Sequence, residues 1–214
     1  LAVAVVGAGR GGGSSEASKS PKQIAKDAYQ AASTARSVRL SGSVTTNGSQ
    51  LGLDLAIRQG KAVAGSLTLQ GDPANVVVIG SQVYFAASAA YYQSQGEPAN
   101  LANALDGKWV KLPKNQGKDF ARFESLKLLL GDLGHPKGGL SKAGTSTVEG
   151  MAVVLVTSSK GGTVAVSSHG TPFPLQLLAG SAGSGSLTFS GWNKPVTIKK
   201  PGSFIDLSKT KKTK

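Results

Sequence analysis

Side chains that carry acid, base, nucleophile or metal chemistry are sparse in this sequence. There is no cysteine, there are two histidines, and 11 carboxylates are spread over 214 residues. His135 precedes Pro136 and His169 precedes Gly170, so both histidines are expected in solvated turns. No G-x-S-x-G turn follows a predicted strand, and no close carboxylate pair suits glycosidic chemistry. We therefore predict a protein that is not an enzyme and that uses no metal or cofactor.

The first 20 residues fit two patterns, one for nucleotide binding and one for processing. Residues Gly7 to Gly12 match G-x-G-x-x-G after an apolar run, but a Gly-Ser tether follows instead of a helix, and no βαβ alternation comes after it. The same residues fit the end of a signal-peptide apolar segment with a small-residue cleavage site at Gly7-Ala8-Gly9. We predict an exported protein whose residues 1–20 are a truncated signal segment and a flexible tether.

The body of the chain, residues 21–207, opens with a helix and continues with strands. Ser20 and Gln23 form a capping box around Pro21, which suits the first helical position. From Val38 to Phe85 apolar residues alternate with polar ones between Gly-rich turns, which predicts a meander of antiparallel strands. Asn47-Gly48 suits a two-residue hairpin within it.

Helices are predicted between this meander and a second one. Residues Pro98 to Leu105 predict a short helix, and Asp119 to Leu133 predict a longer amphipathic helix. A short strand is expected at Lys108 to Leu112. The second meander is expected to include strands at Thr163 to Ser167 and Pro174 to Leu178 and to end with a strand at Val196 to Ile198. Helices bracketed by meanders indicate the α+β class, and the many glycines favour a curved sheet.

The charge of the chain is strongly basic. There are 24 Lys and Arg against 11 Asp and Glu, which gives a net charge of +13 and a surface that attracts anions. Nucleic acid is not the predicted partner, because no RNP-like, Cys/His or recognition-helix pattern occurs. Residues 208–214 predict a basic disordered tail. Lys199 to Lys214 either hold the protein loosely at an anionic membrane surface or only keep it soluble.

Several short segments resemble one family of envelope proteins. The segments are Ala35 to Arg39, the strand with Gly42, Leu51 to Ile57, Gly144 to Gly150, Gly183 to Ser186 and Trp192 to Val196. In element order they are similar to the actinobacterial LppX/LprG-type lipoproteins, relatives of the LolA carriers, from about Pro21 to Leu207.

The resemblance implies a fold and an anchor. It implies a half-barrel of antiparallel strands whose concave face is covered by helices over an apolar cavity for lipid acyl chains. It also implies attachment through a lipidated cysteine, yet Arg10 stands directly after the small-residue site. Thioether acylation at this position is therefore excluded for this sequence.

Candidate ligand-binding residues are those expected on the covered face of the sheet and on the helices above it. They are Leu53, Leu55, Leu67, Leu69, Val83, Phe85, Tyr91, Tyr92, Phe123, Leu126, Leu130, Val164, Val166, Leu175 and Leu177. Alternation alone leaves open whether they form a packed core or line a cavity. Tyr91 and Tyr92 suit a cavity mouth or a capping helix that merely packs.

Two functions remain open at this stage. The first is an exported, monomeric envelope protein at the outer face of the cell membrane that carries a lipid or glycolipid in an apolar cavity. Such a carrier needs a dry cavity and no catalytic groups. The second is an envelope sensor or protein-interaction module on the same scaffold without bound lipid.

Overall fold

The structure is a computed structural model that describes residues 15–46, 48–69, 71–113, 120, 123, 125–136, 138–180 and 183–207. Within these ranges, 12 strands form one open, curled sheet with helices against its concave face. The helices, after a 3₁₀ turn at Glu16–Ser18, are α1 (Pro21–Thr34), α2 (Ala89–Ser94), α3 (Ala99–Leu105), α4 (Leu126–Leu129) and α5 (Gly131–Gly134). The strands are β1 (Ser37–Thr46), β2 (Ser49–Arg58), β3 (Ala62–Leu69), β4 (Asp72–Ile79), β5 (Gln82–Ala87), β6 (Val110–Lys111), β7 (Leu140–Val148), β8 (Met151–Ser158), β9 (Thr163–Ser167), β10 (Pro174–Leu178), β11 (Gly183–Ser190) and β12 (Ile205–Asp206).

Two antiparallel meanders build the sheet. Strands β1 to β6 form the first and β7 to β11 the second, and they join because β1 pairs antiparallel with β11. Strand β12 returns to pair parallel with β6 at the far edge. Thr46 pairs with Ser49 where β1 meets β2, and Asn47 of the predicted hairpin lies outside the described residues. The α+β class with a curved antiparallel sheet is thus confirmed.

Helix α1 begins where the sequence predicts. The Gln23 backbone N–H donates to the Ser20 hydroxyl at 3.3 Å, and Pro21 occupies the first turn. The buried face of α1 carries Ile24 and three alanines, whose short side chains let the helix lie close to β8 and β9. In this contact Ile24 and Ala28 pack on two valines from each of these strands.

Two glycines bend the sheet where the meanders join. Gly42 in β1 has φ 134° and Gly185 in β11 has φ 108°, values that side-chain-bearing residues rarely adopt. A Cβ at Gly42 would collide with the Ser186 carbonyl oxygen, and one at Gly185 would collide with that of Ser43. A side chain at either position would therefore collide with the neighbouring strand, so this part of the β1–β11 pair requires glycine.

The core beneath the sheet has two parts. Under the first meander, the side chains of α2, α3 and α4 pack on β1 to β6, with Tyr92, Ala102 and Leu105 all buried. Under the second meander, α1 is the main cover and contributes mostly alanines. The first part thus buries the aromatic side chains of Phe85 and Tyr92, whereas the second buries one isoleucine, one alanine and four valines.

The predicted helix from Asp119 to Leu133 is wrong in its described part. The structure has two separate short helices, α4 and α5, which break at Leu130. The break precedes Gly131, and glycines at both ends of α5 favour helix weakly. The Leu126 N–H donates to the Gln59 side-chain oxygen at 2.9 Å, so a residue between β2 and β3 caps α4.

Two predicted strands also differ from the structure. Residues 196–198 are irregular and form no strand, because Pro195 and Pro201 flank them and cannot donate to a ladder. The strand predicted from Lys108 to Leu112 is confined to the two residues of β6. The chain reaches the sheet edge again only at β12.

Residues 15–20, predicted as tether, pack on the domain. The Glu16 N–H and the Ser15 hydroxyl both donate to the Ser168 carbonyl oxygen, at 3.1 and 3.2 Å. Lys19 bridges the carboxylates of Glu16 and Asp27 at 2.6 and 2.7 Å. These contacts hold residues 15–20 against α1 and the end of β9. Residues 1–14 and 208–214 lie outside the described residues.

Candidate ligand-binding cleft

An open cleft of about 700 Å³ lies beneath the second meander. It is bounded by α1, the turn at Leu130, α5 and the concave face of β8 to β11 with the end of β1. The apolar lining consists of Ala25, Val44, Leu130, Leu133, Pro136, Leu140, Val156, Val164, Leu177, Leu178, Ala179 and Leu187. Its volume falls in the range of about 300–1,000 Å³ typical of small-molecule sites.

Short side chains on α1 leave this space open. Ala25 faces the cleft, whereas Ile24 on the same helix is buried in the contact with β8 and β9. The methyl group of Ala25 occupies less of the space beneath the curled sheet than a leucine or phenylalanine side chain would. The short side chain of Ala25 thus leaves room on the α1 side of the cleft.

One end of the cleft is polar. The turn between β8 and β9 brings Ser158, Lys160, Gly161, Gly162 and Thr163 to its rim. Thr163 shares a 2.9 Å hydroxyl hydrogen bond with Thr157, and the Ser158 hydroxyl accepts from the Lys160 N–H at 3.2 Å. Lys160 is exposed and is the charged side chain among the described lining residues. The cleft can therefore hold an apolar group inside and a polar or anionic group at this rim.

The candidate residues from the sequence divide between two environments. Leu130, Val164 and Leu177 line the cleft. Val166 is buried in the contact between α1 and β8–β9. The others on the concave side belong to the hydrophobic cluster of the first part of the core or pack against it: Leu53, Leu55, Leu67, Leu69, Val83, Phe85, Tyr91, Tyr92, Phe123 and Leu126.

Leu175 is not on the concave face. It packs with Val153, Ala165 and Val148 on the opposite side of the sheet. A β-bulge lies between Pro174 and Gln176, so one extra residue breaks the alternation of β10 relative to β9. The expected position of Leu175 is therefore wrong, while Leu177 beyond the bulge faces the cleft.

The tyrosine pair belongs to an aromatic cluster in the packed part. The rings of Tyr91 and Tyr92 are 5.8 Å apart, and Tyr91 lies 5.4 Å from Phe85. Burial raises the pKa of both tyrosine hydroxyls above its ordinary value. Neither ring is among the residues that line the cleft, and both belong to or pack against the hydrophobic cluster under the first meander.

Several cleft residues escaped the sequence reasoning. Ala25 is one of four alanines in α1 and carries no signal of its own. Val44 and Leu187 follow the strand alternation and could have been included on that ground. Lys160 stands in a Ser-Gly turn, which marks a solvated loop and gives no indication of a cleft rim.

The described titratable side chains are not arranged for metal binding. No group of three His, Cys, Asp or Glu among them lies close enough to hold an ion. His135 packs edge-on against Tyr29 with ring centres 6.1 Å apart, and His169 Nδ1 lies 2.9 Å from the Ser168 hydroxyl. Both histidines have non-acidic neighbours in these contacts.

The fold is of the α+β class, with one open, curled sheet and a cleft between the sheet and the helices. Solved structures share this fold. LprF from Mycobacterium bovis is similar, with 16% identity, TM-score 0.62, and coverage of 89% of this chain and 100% of that one. The lipoprotein LppX from Mycobacterium tuberculosis is also similar, with 19% identity, TM-score 0.56, and coverage of 84% and 98%. At this identity the likeness concerns the fold, and at that level it confirms the resemblance to LppX/LprG-type lipoproteins.

Sequence comparisons add nothing to this structural likeness. No family profile matches the chain, and no curated protein matches its sequence. Among the described residues, no helix has the length and apolar character needed to cross a membrane.

Proposed function

We propose that this protein is an exported envelope protein that binds a lipid or lipid-like ligand in the cleft beneath the second meander. The observation that carries the proposal is the cleft itself, about 700 Å³ in volume with a mainly apolar lining and a polar rim at the β8–β9 turn. The fold shared with LppX and LprF supports it.

Apolar burial supplies the expected affinity. Each methylene moved from water into such a lining contributes about 0.8 kcal/mol, so ten methylenes contribute about 8 kcal/mol before the costs of association. A headgroup needs no dedicated pocket, since the polar rim around Ser158 and Lys160 is open to water. Binding and release then need no covalent chemistry.

A lipid assay with a fluorescent fatty acid tests the proposal directly. Leu177→Phe and Val164→Phe each place a larger ring in the cleft, and we expect each to weaken binding of cis-parinaric acid at least about fivefold. Met151→Phe is the matched control, because Met151 is 42% exposed in the β8 strand away from the cleft. Mass spectrometry of an organic extract of the purified wild-type protein should also detect co-purified lipid.

Two results would contradict the lipid proposal. One is an extract without lipid together with no uptake of cis-parinaric acid by the wild-type protein. The other is equal binding by the cleft variants and by the Met151→Phe control. Either result would favour the alternative function, an envelope sensor or interaction module on this scaffold.

We also propose a loose attachment to an anionic membrane surface. Residues 199–214 contain six lysines against one carboxylate, Asp206. Each lysine near an anionic leaflet contributes about 1 kcal/mol at most. Such an attachment would keep a monomeric protein at the outer face of the membrane while the cleft exchanges its ligand.

A further inference from the structure

The convex face of the sheet carries a second concavity, which we call the outer groove. It has a volume of about 470 Å³ and lies over β1 to β4, with Arg39 and Asp54 at one end and Trp109 at the other. Asp54 and Ala56 alternate along β2 with Leu53 and Leu55 of the core. The sheet therefore separates the outer groove from the proposed lipid cleft.

Small residues on adjacent strands form the floor of the outer groove. Ala56 pairs with Ala64, and Ala64 pairs with Val77 on the next strand. Gly65 beside them has no side chain, and its Cβ would collide with the Asp54 carbonyl oxygen. A flat apolar floor results, bounded by larger side chains.

An exposed ion pair closes one end of this floor. The Arg39 Nε and Nη2 atoms donate to the two Asp54 oxygens at 2.9 and 2.7 Å. The two side chains are 62% and 44% exposed, so their remaining donor and acceptor positions face water. The hydrogen bonds with Asp54 raise the pKa of Arg39. The pair is neutral as a unit but offers a donor and an acceptor side by side.

Two further polar side chains of the outer groove have unused hydrogen-bonding capacity. The Ser66 hydroxyl and the Asn75 amide line it, and neither makes a side-chain hydrogen bond with another described residue. Both residues lie on the exposed side of their strands and pair across β3 and β4. Neutral donors and acceptors thus lie beside an apolar floor.

Trp109 differs from the other tryptophan of the chain. Trp192 stacks on Phe173 with ring centres 4.6 Å apart, and its N–H donates to the Pro174 carbonyl oxygen at 3.1 Å. Trp109 is only partly buried and lines the outer groove, while its carbonyl oxygen accepts the Ile205 N–H at 2.9 Å. The backbone of Trp109 is fixed by β12, but its indole has no comparable aromatic partner among the described residues.

We propose that the outer groove binds a neutral oligosaccharide. Pyranose rings have an apolar face that packs on an indole and on methyl groups, and hydroxyls that donate to Asp54 and accept from Arg39 and Asn75. A charged ligand is not favoured, because the ion pair is already neutral. A peptide strand is not favoured either, because the floor strands β2 and β3 are paired on both sides and offer no free edge.

Tryptophan fluorescence can test this proposal because the chain has two tryptophans. We expect cellotriose, maltotriose, α-1,6-mannotriose or chitotriose to change the emission of the Trp192→Phe protein, in which Trp109 is the remaining fluorophore. The Trp109→Phe protein should not respond. A sugar of this size is expected to bind with a dissociation constant of about 1 mM.

Calorimetry with the responding sugar measures the role of the ion pair. Arg39→Gln and Asp54→Asn should each weaken binding about tenfold, a change of about 1.4 kcal/mol. Arg58→Gln is the matched control, because Arg58 is an exposed arginine of β2 that does not line the outer groove. Circular dichroism of every variant checks that the fold is retained.

The proposal is overturned if none of the four sugars changes Trp109 emission at about ten times the expected dissociation constant. It is also overturned if a peptide library, but no sugar, alters that emission, or if Arg58→Gln weakens binding as much as Asp54→Asn. Binding that persists after cis-parinaric acid fills the lipid cleft is expected, since the two sites lie on opposite faces.

Discussion

Replacing Gly42 by alanine tests whether glycine creates the curl above the cleft. Gly42 has φ 134°, and a Cβ at this position would collide with the Ser186 carbonyl oxygen of the neighbouring strand. Two residues further along β1, Val44 pairs with Gly185, which has φ 108° and the reciprocal contact with Ser43. The added methyl group must therefore either push β1 and β11 apart or change the backbone of β1.

The expected cost follows from these two effects. A residue with a side chain in this glycine region costs of order 1–3 kcal/mol, and strand separation adds lost packing and strained hydrogen bonds. We expect Gly42→Ala to lower the free energy of unfolding by about 2–4 kcal/mol, within the range of severe single substitutions. For a chain of this size that corresponds to a fall in Tm of about 4–16 °C.

Urea unfolding followed by circular dichroism measures the change. Gly202→Ala is the matched control, because no atom lies within 4 Å of a Cβ there and its φ is not positive. That control is expected to be neutral or to stabilise the protein by up to about 1 kcal/mol. If Gly42→Ala and Gly202→Ala unfold at the same urea concentration, glycine at position 42 is not required and the account of the curl is wrong.

Three further predictions concern the two ends of the described domain and the basic tail. Removing residues 1–20 should lower Tm by several degrees, since it deletes the contacts of Glu16 with Ser168 and of Lys19 with Asp27; an unchanged Tm would show that this docking adds no stability. Burial alone raises the pKa of Asp27, but hydrogen bonds from Lys19 and Gln23 outweigh it and the net pKa is lowered. The Asp27 carboxylate therefore stabilises the folded protein fully above about pH 4, and this stabilisation is lost as the pH falls further. The free energy of unfolding of Lys19→Met should fall less between about pH 5 and pH 2 than that of the wild type. In co-sedimentation, phosphatidylglycerol vesicles should bind the protein more than phosphatidylcholine vesicles do, and deletion of residues 208–214 or added salt should weaken that binding; equal binding to both vesicle types would refute the membrane role.

Local signals predicted the start of α1 and several strands. The cap at Ser20 and Pro21 sets the start of α1, because it satisfies free backbone N–H groups by local contacts alone. Strands β9 and β10 have the bounds expected from alternation between glycine-rich turns. These features depend on residues that are close in sequence, so the local sequence is enough to predict them.

Features that depend on distant residues were missed. The Leu175 bulge depends on pairing with β9, and periodicity within β10 cannot reveal an extra residue relative to its partner. The docking of residues 15–20 depends on the Ser168 carbonyl, 153 positions from Ser15. The Gly-Ser composition around residues 15–20 indicated a flexible tether. Composition reflects local backbone preference and gives no information about a hydrogen-bond acceptor far away in the sequence.

The position of the cleft follows from what lies opposite each half of the sheet. Alternating leucines and valines occur in both meanders and specify only which face is covered. Tyr92 and Leu105 fill the space under the first meander, so Leu55 and Leu67 become packed core. Under the second meander α1 contributes alanines such as Ala25, and the same kind of strand alternation then lines a cleft. The size of the side chains opposite each meander, and not the strand pattern alone, therefore decides where an open cleft remains beneath the sheet.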